Sequence, residues 1–309
     1  MMEWYADEKD IEVCRKIHKE YGTTYYYATQ CFPAKYRRRV HSIYAFVRVP
    51  DEWVDNPGDL SVDERRRLLN NWRGQMVRGL AGERPEHPAM RAFCDTAREC
   101  RLPIDEAHTF LDAMEMDLDQ TSYQTFEDLR GYMRGSASAV GVLMCHAMCA
   151  RTDYDTIARA KALGEAMQLT NFLRDIREDL VDRGRVYLPQ EDLDRFGVTV
   201  EDLRSGEVTE RFRALMQFEI DRARELYRTS DFGIYKLPKR MRRAVLLSRL
   251  LYSEILGRIE ANQYDVFRVR ARTNKVQKLA WLAKVMLSDE RILVRLVSDS
   301  GISLRRGPA

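Results

Sequence analysis

Apolar residues recur at intervals of three and four along most of this chain, and no stretch of useful length alternates between apolar and polar positions. One apolar stripe runs from Ile104 to Leu118, and a second runs from Val245 to Ile259. Spacings of three and four place side chains on one face of an α-helix, whereas a half-buried strand needs a spacing of two. Only 9 prolines and 16 glycines interrupt the 309 residues, so the chain is predicted to be all-α.

Prolines and glycines divide this pattern into roughly ten helices. The predicted helices span 8–20, 34–49, 51–56, 62–79, 87–100, 103–119, 126–150, 154–181, 208–229 and 238–263, with a last one near 273–287. No glycine-rich or serine-rich linker separates them, which favours a single domain over residues 1–309. Its core is expected over about residues 10–290, with frayed ends.

The composition excludes several classes of protein. The 51 Lys and Arg residues against 48 Asp and Glu give a net charge of +3, so no nucleic-acid partner is expected. The longest apolar stretch, Ala139 to Ala150, is shorter than the ~20 residues of a transmembrane helix. The six cysteines form no C-x-x-C pair and no secretory signal is visible, which predicts free thiols in a reducing, cytoplasmic setting.

Motifs for nucleotide and di-iron sites are missing. The sequence has no Gly-Lys dipeptide and no G-x-G spacing, so it lacks the phosphate-binding loop and the dinucleotide fingerprint. None of the five histidines follows a glutamate by three positions, as the di-iron bundle motif requires.

Two carboxylate clusters carry the strongest chemical signal. Asp51 and Asp55 lie four residues apart and therefore share one face of a helix. Asn171, Asp175 and Asp179 repeat that spacing over two turns and form a stripe of oxygen atoms. Like charges four apart repel each other on a bare helix, so each cluster needs positive charge nearby.

The surroundings of the second cluster favour a metal site. Phe172, Leu173, Ile176 and Leu180 border its carboxylates with apolar side chains, and buried carboxylates must be paired or bind metal. The available ligand atoms are oxygens, which favours a hard cation such as Mg²⁺, with Mn²⁺ as its substitute. Because Mg²⁺ completes its shell with water and phosphate oxygens, two facing stripes suit several ions that hold a diphosphate.

The simpler interpretation is a pair of solvated acidic faces that Arg48, Arg174 and Arg177 balance. Three arginine-rich clusters, at 37–39, 65–67 and 239–243, are also interpreted as solvated helix faces. Their functional alternative is contact with anionic lipid headgroups.

Both clusters lie in segments that resemble one protein family. The segment at 44–55, YAFVRVPDEWVD, resembles the first aspartate-rich motif of the squalene/phytoene synthase family. The segment QLTNFLRD at 168–175 resembles the second motif of the family. It is followed by Glu178-Asp179 and by GRVYLP at 184–189, which continue the likeness. The likeness covers about residues 14–270 and continues in YA at 27–28, MDL at 116–118, YMRGSA at 132–137 and Val140-Gly141.

The resemblance implies an all-helical bundle around a deep apolar cavity, with the carboxylates at the mouth of that cavity. It implies that Asp51, Asp55, Asp175 and Asp179 are catalytic and that, together with Asn171, they hold the metal ion. The residues that it places on the substrate diphosphate are Tyr21, Thr24, Tyr44, Arg48, Gln168, Arg174, Tyr252 and Arg268.

Three positions depart from the family pattern. Glu52 stands where the family often has a second aspartate, and GTTY at 22–25 stands where it often has a lysine and serines. Pro50 directly precedes the first cluster, so the helix is expected to kink or to restart there. If the helix restarts, Arg48 no longer shares a regular face with Asp51.

The resemblance implies head-to-head joining of two identical prenyl diphosphates through a cyclopropylcarbinyl diphosphate. Two C20 geranylgeranyl diphosphates would give C40 phytoene, with no NADPH expected, and peripheral contact with a membrane would follow from the lipid substrate. The alternative is a C30 enzyme that makes squalene or dehydrosqualene from farnesyl diphosphate. Two other classes are an inactive relative that binds prenyl lipids and a scaffold that binds anionic membranes.

Overall fold

The computed structural model describes residues 4–148 and 152–288, and helices account for most of them. The described part of the chain contains no strand, only an isolated bridge between Ser122 and Val186. The all-α prediction is therefore confirmed. The single-domain prediction stays a prediction, and the frayed ends that it expected lie largely outside the described residues, as does Cys149.

Fourteen α-helices and one π-helical turn make up the described elements. Their bounds are α1 Glu8–Tyr21, α2 Thr23–Thr29, α3 Ala34–Asp55, α4 Val62–Leu80, α5 Pro88–Cys100, α6 Ile104–Met116, α7 Phe126–Met133, the π turn Arg134–Ser138, α8 Ala139–Ala147, α9 Tyr154–Asp182, α10 Gln190–Phe196, α11 Val200–Ser205, α12 Glu210–Lys236, α13 Lys239–Ala261 and α14 Lys275–Leu287.

Pro50 neither breaks nor restarts its helix, so the predicted boundary between 34–49 and 51–56 is wrong. α3 runs without a break from Ala34 to Asp55 with Pro50 inside it. A proline in a helix leaves the carbonyl of the residue four positions earlier without its usual donor. Here that carbonyl belongs to Phe46, and the indole Nε1 of Trp72 in α4 donates to it at 3.2 Å. A tertiary hydrogen bond thus replaces the missing helical one, and both motif residues Arg48 and Asp51 remain on one helix.

Other predicted boundaries also need correction. The short helices α2, α10 and α11 were not predicted, because six or seven residues are too few to show a period. The predicted helix 126–150 is divided by the π turn, and the predicted helix 208–229 extends to Lys236 as part of α12. The extension is stabilised by tertiary contacts, among them a buried ion pair in which Arg249 of α13 contacts Asp231 at 2.8 Å.

α9 is the central helix, and it packs against α12, α8, α13 and the π turn. Glycines allow two of these close approaches. A Cβ on Gly141 would lie 2.5 Å from the carbonyl oxygen of Ala160, and a Cβ on Gly164 would lie 2.5 Å from that of Ala137. The small residues near 135–141 therefore allow close helix packing.

Two further observations concern the chemistry of the whole molecule. Cys14, Cys31, Cys94 and Cys145 carry free thiols. Across the residues that the structure describes, no helix is both long enough and apolar enough to cross a lipid bilayer.

Candidate active site

A cavity of about 300 Å³ lies between α3, α8, α9, α12 and α13. Most of its wall is apolar, as the predicted bundle around an apolar cavity requires. The apolar side chains that line it come from six helices, the π turn and the residues that follow α8 and α12, and are Val47, Phe110, Ala137, Val140, Met144, Met148, Leu163, Met167, Ile234, Leu237 and Val245.

One end of the cavity is polar. Arg48 and Asp51 of α3, Gln168 and Asn171 of α9, and Tyr252 of α13 line it there. Thr156 lines the cavity further along α9, and fifteen residues of helix at 1.5 Å per residue separate it from Asn171 by about 22 Å. The cavity is therefore a long, mainly apolar pocket with a polar end at the predicted motifs, and Thr156 and Arg159 add polar side chains further along α9.

The first carboxylate cluster is paired with arginines. Arg48 donates to the carboxylates of both Asp51 and Glu52, one turn further along α3. Asp55 accepts a hydrogen bond at Oδ1 from Nη1 of Arg185 at 2.6 Å. Arg48 thus keeps a regular face with Asp51, which the continuous helix through Pro50 makes possible.

The second cluster is also paired. Asp175 accepts hydrogen bonds at Oδ1 from Nε of Arg174 and from Nε of Arg270, each at 2.8 Å. Asp179 accepts at Oδ1 from Nη1 of Arg183 at 2.6 Å. The backbone of Asp175 leaves helical geometry, with φ −106° and ψ 15°, and this local turn lies at the predicted metal ligand itself.

The loop that follows α9 joins the two clusters. Nε of Arg183 lies 4.0 Å from Oδ2 of Asp55, while Arg185 holds the other oxygen of the same carboxylate. The stripes on α3 and α9 therefore face each other across two arginines, as the sequence reasoning expected of a shared site.

The carboxylates differ in how readily they ionise. Burial, together with the charge of Asp55, raises the pKa of Asp51 to about 6, although Arg48 opposes the shift. Burial likewise raises the pKa of Asp179 to about 7 against the charge of Arg183. Burial also acts to raise the pKa of Asp175, but hydrogen bonds and charge from Arg174 and Arg270 outweigh it and hold that pKa below its ordinary value.

These carboxylates could hold a divalent metal ion. In residues 4–148 and 152–288, no three His, Cys, Asp or Glu side chains already converge as a metal site would require. The arginine hydrogen bonds to Asp55 and Asp179 given above, however, reach only Oδ1 of each carboxylate. Clustered carboxylates with raised pKa values and oxygen-only donors fit a hard cation that displaces arginine contacts.

Some of the predicted diphosphate contacts line the polar end of the cavity, and others lie outside its lining. Tyr44 lines the polar end, stacked on the ring of His18 with centroids 4.0 Å apart. Gly22 makes room for it, since a Cβ there would lie 2.7 Å from the Tyr44 phenol. Tyr21 lies beside the site, with the Arg48 guanidinium 4.8 Å from its ring centroid. Thr24 lies in the first turn of α2 and is not among the residues that line the cavity.

Arg268 is not brought into the site. Its side chain is 77% exposed and pairs with Asp265 at 3.6 Å. Arg270, two residues later, contacts Asp175 and also lies 2.9 Å from Glu178. The segment between α13 and α14 has no helical period, so the sequence offered no way to choose between these two arginines.

Three other residues at the site were also missed by sequence reasoning. Arg183 directly precedes the GRVYLP tail and Arg185 lies within it, and the family resemblance implied no role for either. Asp117 is 5% exposed, and Tyr132 donates a hydrogen bond to it at 2.5 Å. Burial raises the pKa of Asp117 to about 7, although the charge of Arg185 opposes this. The only sequence signal for Asp117 was the short MDL segment at 116–118.

Comparison with known proteins gives consistent results. The family model for squalene/phytoene synthase matches residues 18–277. A 15-cis-phytoene synthase of Synechococcus elongatus is 39% identical over 287 residues, covering 89% of this chain and 92% of the relative. A 15-cis-phytoene synthase of Synechocystis is 37% identical, covering 89% and 84%. A crystal structure of a dehydrosqualene synthase superposes with a TM-score of 0.83 at 27% identity, covering 90% of this chain and 96% of that one.

Proposed function

The chain belongs to the squalene/phytoene synthase family, and from that premise we propose that it condenses two geranylgeranyl diphosphates head to head into phytoene. One observation carries the proposal. Arg48, Asp51 and Asn171 lie together at the polar end of a cavity whose remaining wall is mainly apolar. Such a site can bind a diphosphate at one end and long hydrocarbon tails along its length.

The reaction has two stages. In the first, the C1–O bond of one substrate breaks, its electron pair leaves with diphosphate, and the double bond of the second substrate attacks the cation. Loss of a proton then closes a cyclopropylcarbinyl diphosphate. In the second stage the remaining diphosphate leaves, the ring rearranges, and loss of another proton forms the central double bond of phytoene. No reductant is consumed.

Asp51, Asp55, Asn171, Asp175 and Asp179 are the residues that would hold Mg²⁺. The bound ion would supply Lewis-acid stabilisation of the diphosphate as the C–O bond breaks. Placement of these oxygens on two facing helices supports the assignment, because each helix can supply one or two carboxylates.

The arginines would serve the diphosphate directly. Arg48 and Arg174 now pair with carboxylates of their own helices, and Arg48 lines the polar end of the cavity. Guanidinium groups bind phosphate oxygens through two parallel hydrogen bonds, so these side chains are suited to exchange a carboxylate for diphosphate. Tyr44, Gln168 and Tyr252 line the same end and would orient the substrate.

The apolar wall would protect the carbocations. A cation in contact with water is captured as an alcohol, so the reacting carbons must lie in a dry pocket. Met144, Leu163, Met167 and Ile234 supply such a lining beyond the polar end.

Product analysis tests the proposal. Purified protein is incubated with Mg²⁺ and either geranylgeranyl or farnesyl diphosphate, with and without NADPH, and the hydrocarbon is identified by mass. A C40 product formed without NADPH is expected. A C30 product would identify the C30 alternative, and its NADPH dependence would separate squalene from dehydrosqualene. Absence of any hydrocarbon would favour an inactive, lipid-binding relative.

The proposal includes peripheral contact with a membrane, since substrate and product are lipids. The arginine cluster at 37–39 is not a suitable surface, because Arg39 is buried and pairs with Glu99 at 2.6 Å. The start of α13 is more suitable, because Arg240 is exposed there and Phe232, near the end of α12, is 71% exposed. Sedimentation with phosphatidylglycerol vesicles should exceed that with phosphatidylcholine and fall with salt. Equal sedimentation with both lipids would contradict this part of the proposal.

A further inference from the structure

Arg185 connects the two carboxylate motifs through a hydrogen bond at each end. Its backbone N–H donates to the carbonyl of Asp179 at 2.8 Å, at the end of the second motif. Its side chain donates from Nη1 to Oδ1 of Asp55 at 2.6 Å, at the end of the first motif. One residue therefore fixes an aspartate of α3 relative to an aspartate of α9.

We propose that Arg185 is a positioning residue for the metal site. It would hold Asp55 through Oδ1, so that Oδ2, which lies 4.0 Å from Nε of Arg183 and accepts no hydrogen bond from it, faces the second motif as a metal ligand. The proposal rests on the proposed function, because it takes the facing carboxylates as the ligands of Mg²⁺.

The contacts of Arg185 commit it to this place. Its side chain is only 5% exposed, and Nη2 donates to the main-chain carbonyls of Asp117 at 2.9 Å and Val54 at 3.4 Å. Nη1 also lies 3.3 Å from the hydroxyl of Tyr187. A move of this side chain toward a diphosphate would leave two buried carbonyls without a donor, which costs free energy. An exposed arginine can move without that cost.

Arg48 differs in each of these respects. Its side chain is 23% exposed, lines the cavity, and contacts carboxylates one turn away on its own helix. It can rotate toward a ligand without breaking a tertiary contact of the kind that holds Arg185. The two arginines should therefore have different roles. Arg48 would contact the diphosphate of the substrate, and Arg185 would position Asp55 at the metal site.

The loop around Arg185 is itself fixed. The N–H of Val186 donates to the carbonyl of Thr121 at 2.8 Å, and that of Gln190 donates to the carbonyl of Tyr123 at 2.9 Å. The loop is thus bound to the segment that precedes α7, and Arg185 starts from a fixed backbone. A residue that orients a ligand needs such support, since a loose arm would not hold Asp55 in one position.

The test uses the full-length chain with Arg185→Lys and Arg185→Gln. Lysine keeps the charge, but a single ammonium group cannot span Asp55 and both carbonyls. Arg66→Gln is the matched control, because Arg66 pairs at the surface with Glu115 at 3.0 Å and Asp119 at 2.9 Å. Binding of Mg²⁺ with inorganic diphosphate is measured by calorimetry without turnover, and the Mg²⁺ dependence and KM are measured with geranylgeranyl diphosphate.

Both Arg185 variants should bind Mg²⁺ about 10- to 100-fold more weakly by calorimetry and need correspondingly more Mg²⁺ for half-maximal rate. At saturating Mg²⁺ the KM for the prenyl diphosphate should stay within about twofold of wild type, as should every parameter of Arg66→Gln. A raised KM with unchanged Mg²⁺ binding would overturn the proposal and make Arg185 a substrate contact. A lower melting temperature with unchanged Mg²⁺ binding would overturn it in favour of a purely structural role.

The glutamine variant leaves Asp55 without its hydrogen-bonded arginine and is the variant at greater risk of misfolding. If it does not fold, Arg185→Lys supplies the same measurements, because it keeps a positive charge in the buried site. Failure of the proposed function is recognised separately, since wild-type protein would then form no hydrocarbon whatever its Mg²⁺ binding. Weakened Mg²⁺ binding in the variants would still support the positioning role in that case.

Discussion

The hydrogen bond from Trp72 to the carbonyl of Phe46 makes a strong prediction about stability. Trp72 is 1% exposed and Phe46 is fully buried, so water cannot replace the indole N–H. Pro50 cannot supply the helical donor either. Trp72→Phe should therefore destabilise the protein in two ways, by leaving a smaller ring in the core and by leaving the carbonyl without a donor.

The two contributions can be estimated separately. Truncation of a buried Trp to Ala typically costs about 3–5 kcal/mol, and a Phe that keeps one aromatic ring should cost roughly half of that. A buried carbonyl without a donor costs about 1–3 kcal/mol more. Pro50→Ala restores a main-chain N–H four residues after Phe46, so in that background only the packing loss should remain. The coupling between the two substitutions should therefore be about 1–3 kcal/mol.

A double-mutant cycle in urea measures this coupling. Wild type, Trp72→Phe, Pro50→Ala and the double variant are unfolded at equilibrium and followed by far-UV circular dichroism, because tryptophan fluorescence changes with the substitution itself. Trp72→Phe should lower the free energy of unfolding by clearly less in the Pro50→Ala background. Equal losses in the two backgrounds, within about 0.5 kcal/mol, would refute the idea that the indole replaces the helical hydrogen bond.

Three further outcomes are expected. Asp51→Ala should abolish hydrocarbon formation while leaving the circular dichroism spectrum and melting temperature close to wild type, because it removes a proposed metal ligand at the cavity mouth and no core packing; full activity would contradict the metal assignment. Arg270 is 37% exposed and, like Arg48, can turn from its carboxylate to the diphosphate, so Arg270→Gln should raise the KM for prenyl diphosphate about tenfold or more, whereas Arg268→Gln should leave it unchanged; equal KM values for the two variants would count against the choice of Arg270. Burial lowers the pKa of His18 to about 2 and that of His41 to about 4, so the unfolded chain takes up protons that the folded chain does not as the pH falls below about 6.5. Above that pH both histidines are neutral in the folded and unfolded chains and carry no penalty. By pH 5 the free energy of unfolding should fall by about 2 kcal/mol per histidine, and urea titrations at pH 8 and pH 5 should show a smaller fall for His41→Gln than for wild type.

Sequence reasoning identified the carboxylates because their spacing matches a helical period. Asp51 and Asp55, and likewise Asn171, Asp175 and Asp179, are separated by one turn, so any helix that contains them places them on one face. The apolar neighbours Phe172 and Ile176 are both buried, as predicted for a site that is not freely solvated. Local pattern was enough here because each stripe belongs to a single helix.

The helix through Pro50 could not be predicted by the same reasoning. Proline is correctly interpreted as a helix breaker when only local sequence is considered, because the lost hydrogen bond and the steric clash are local effects. The compensating donor comes from Trp72, twenty-six residues from the carbonyl that it contacts. No periodicity relates the two positions, so the continuity of α3 depends on a tertiary contact.

Some arginines of the site could not be predicted from local sequence either. Arg48 and Arg174 were predicted because they lie within the motifs and contact carboxylates one turn away or next in sequence. Arg270 reaches Asp175 across 95 residues, and Arg185 reaches Asp55 across 130. Guanidinium groups have long, flexible arms, so a basic residue in a loop can serve any acidic group within reach. The ligands of such a site can therefore be predicted from helical spacing, whereas the groups that hold those ligands in place follow only from the packing of distant loops against them.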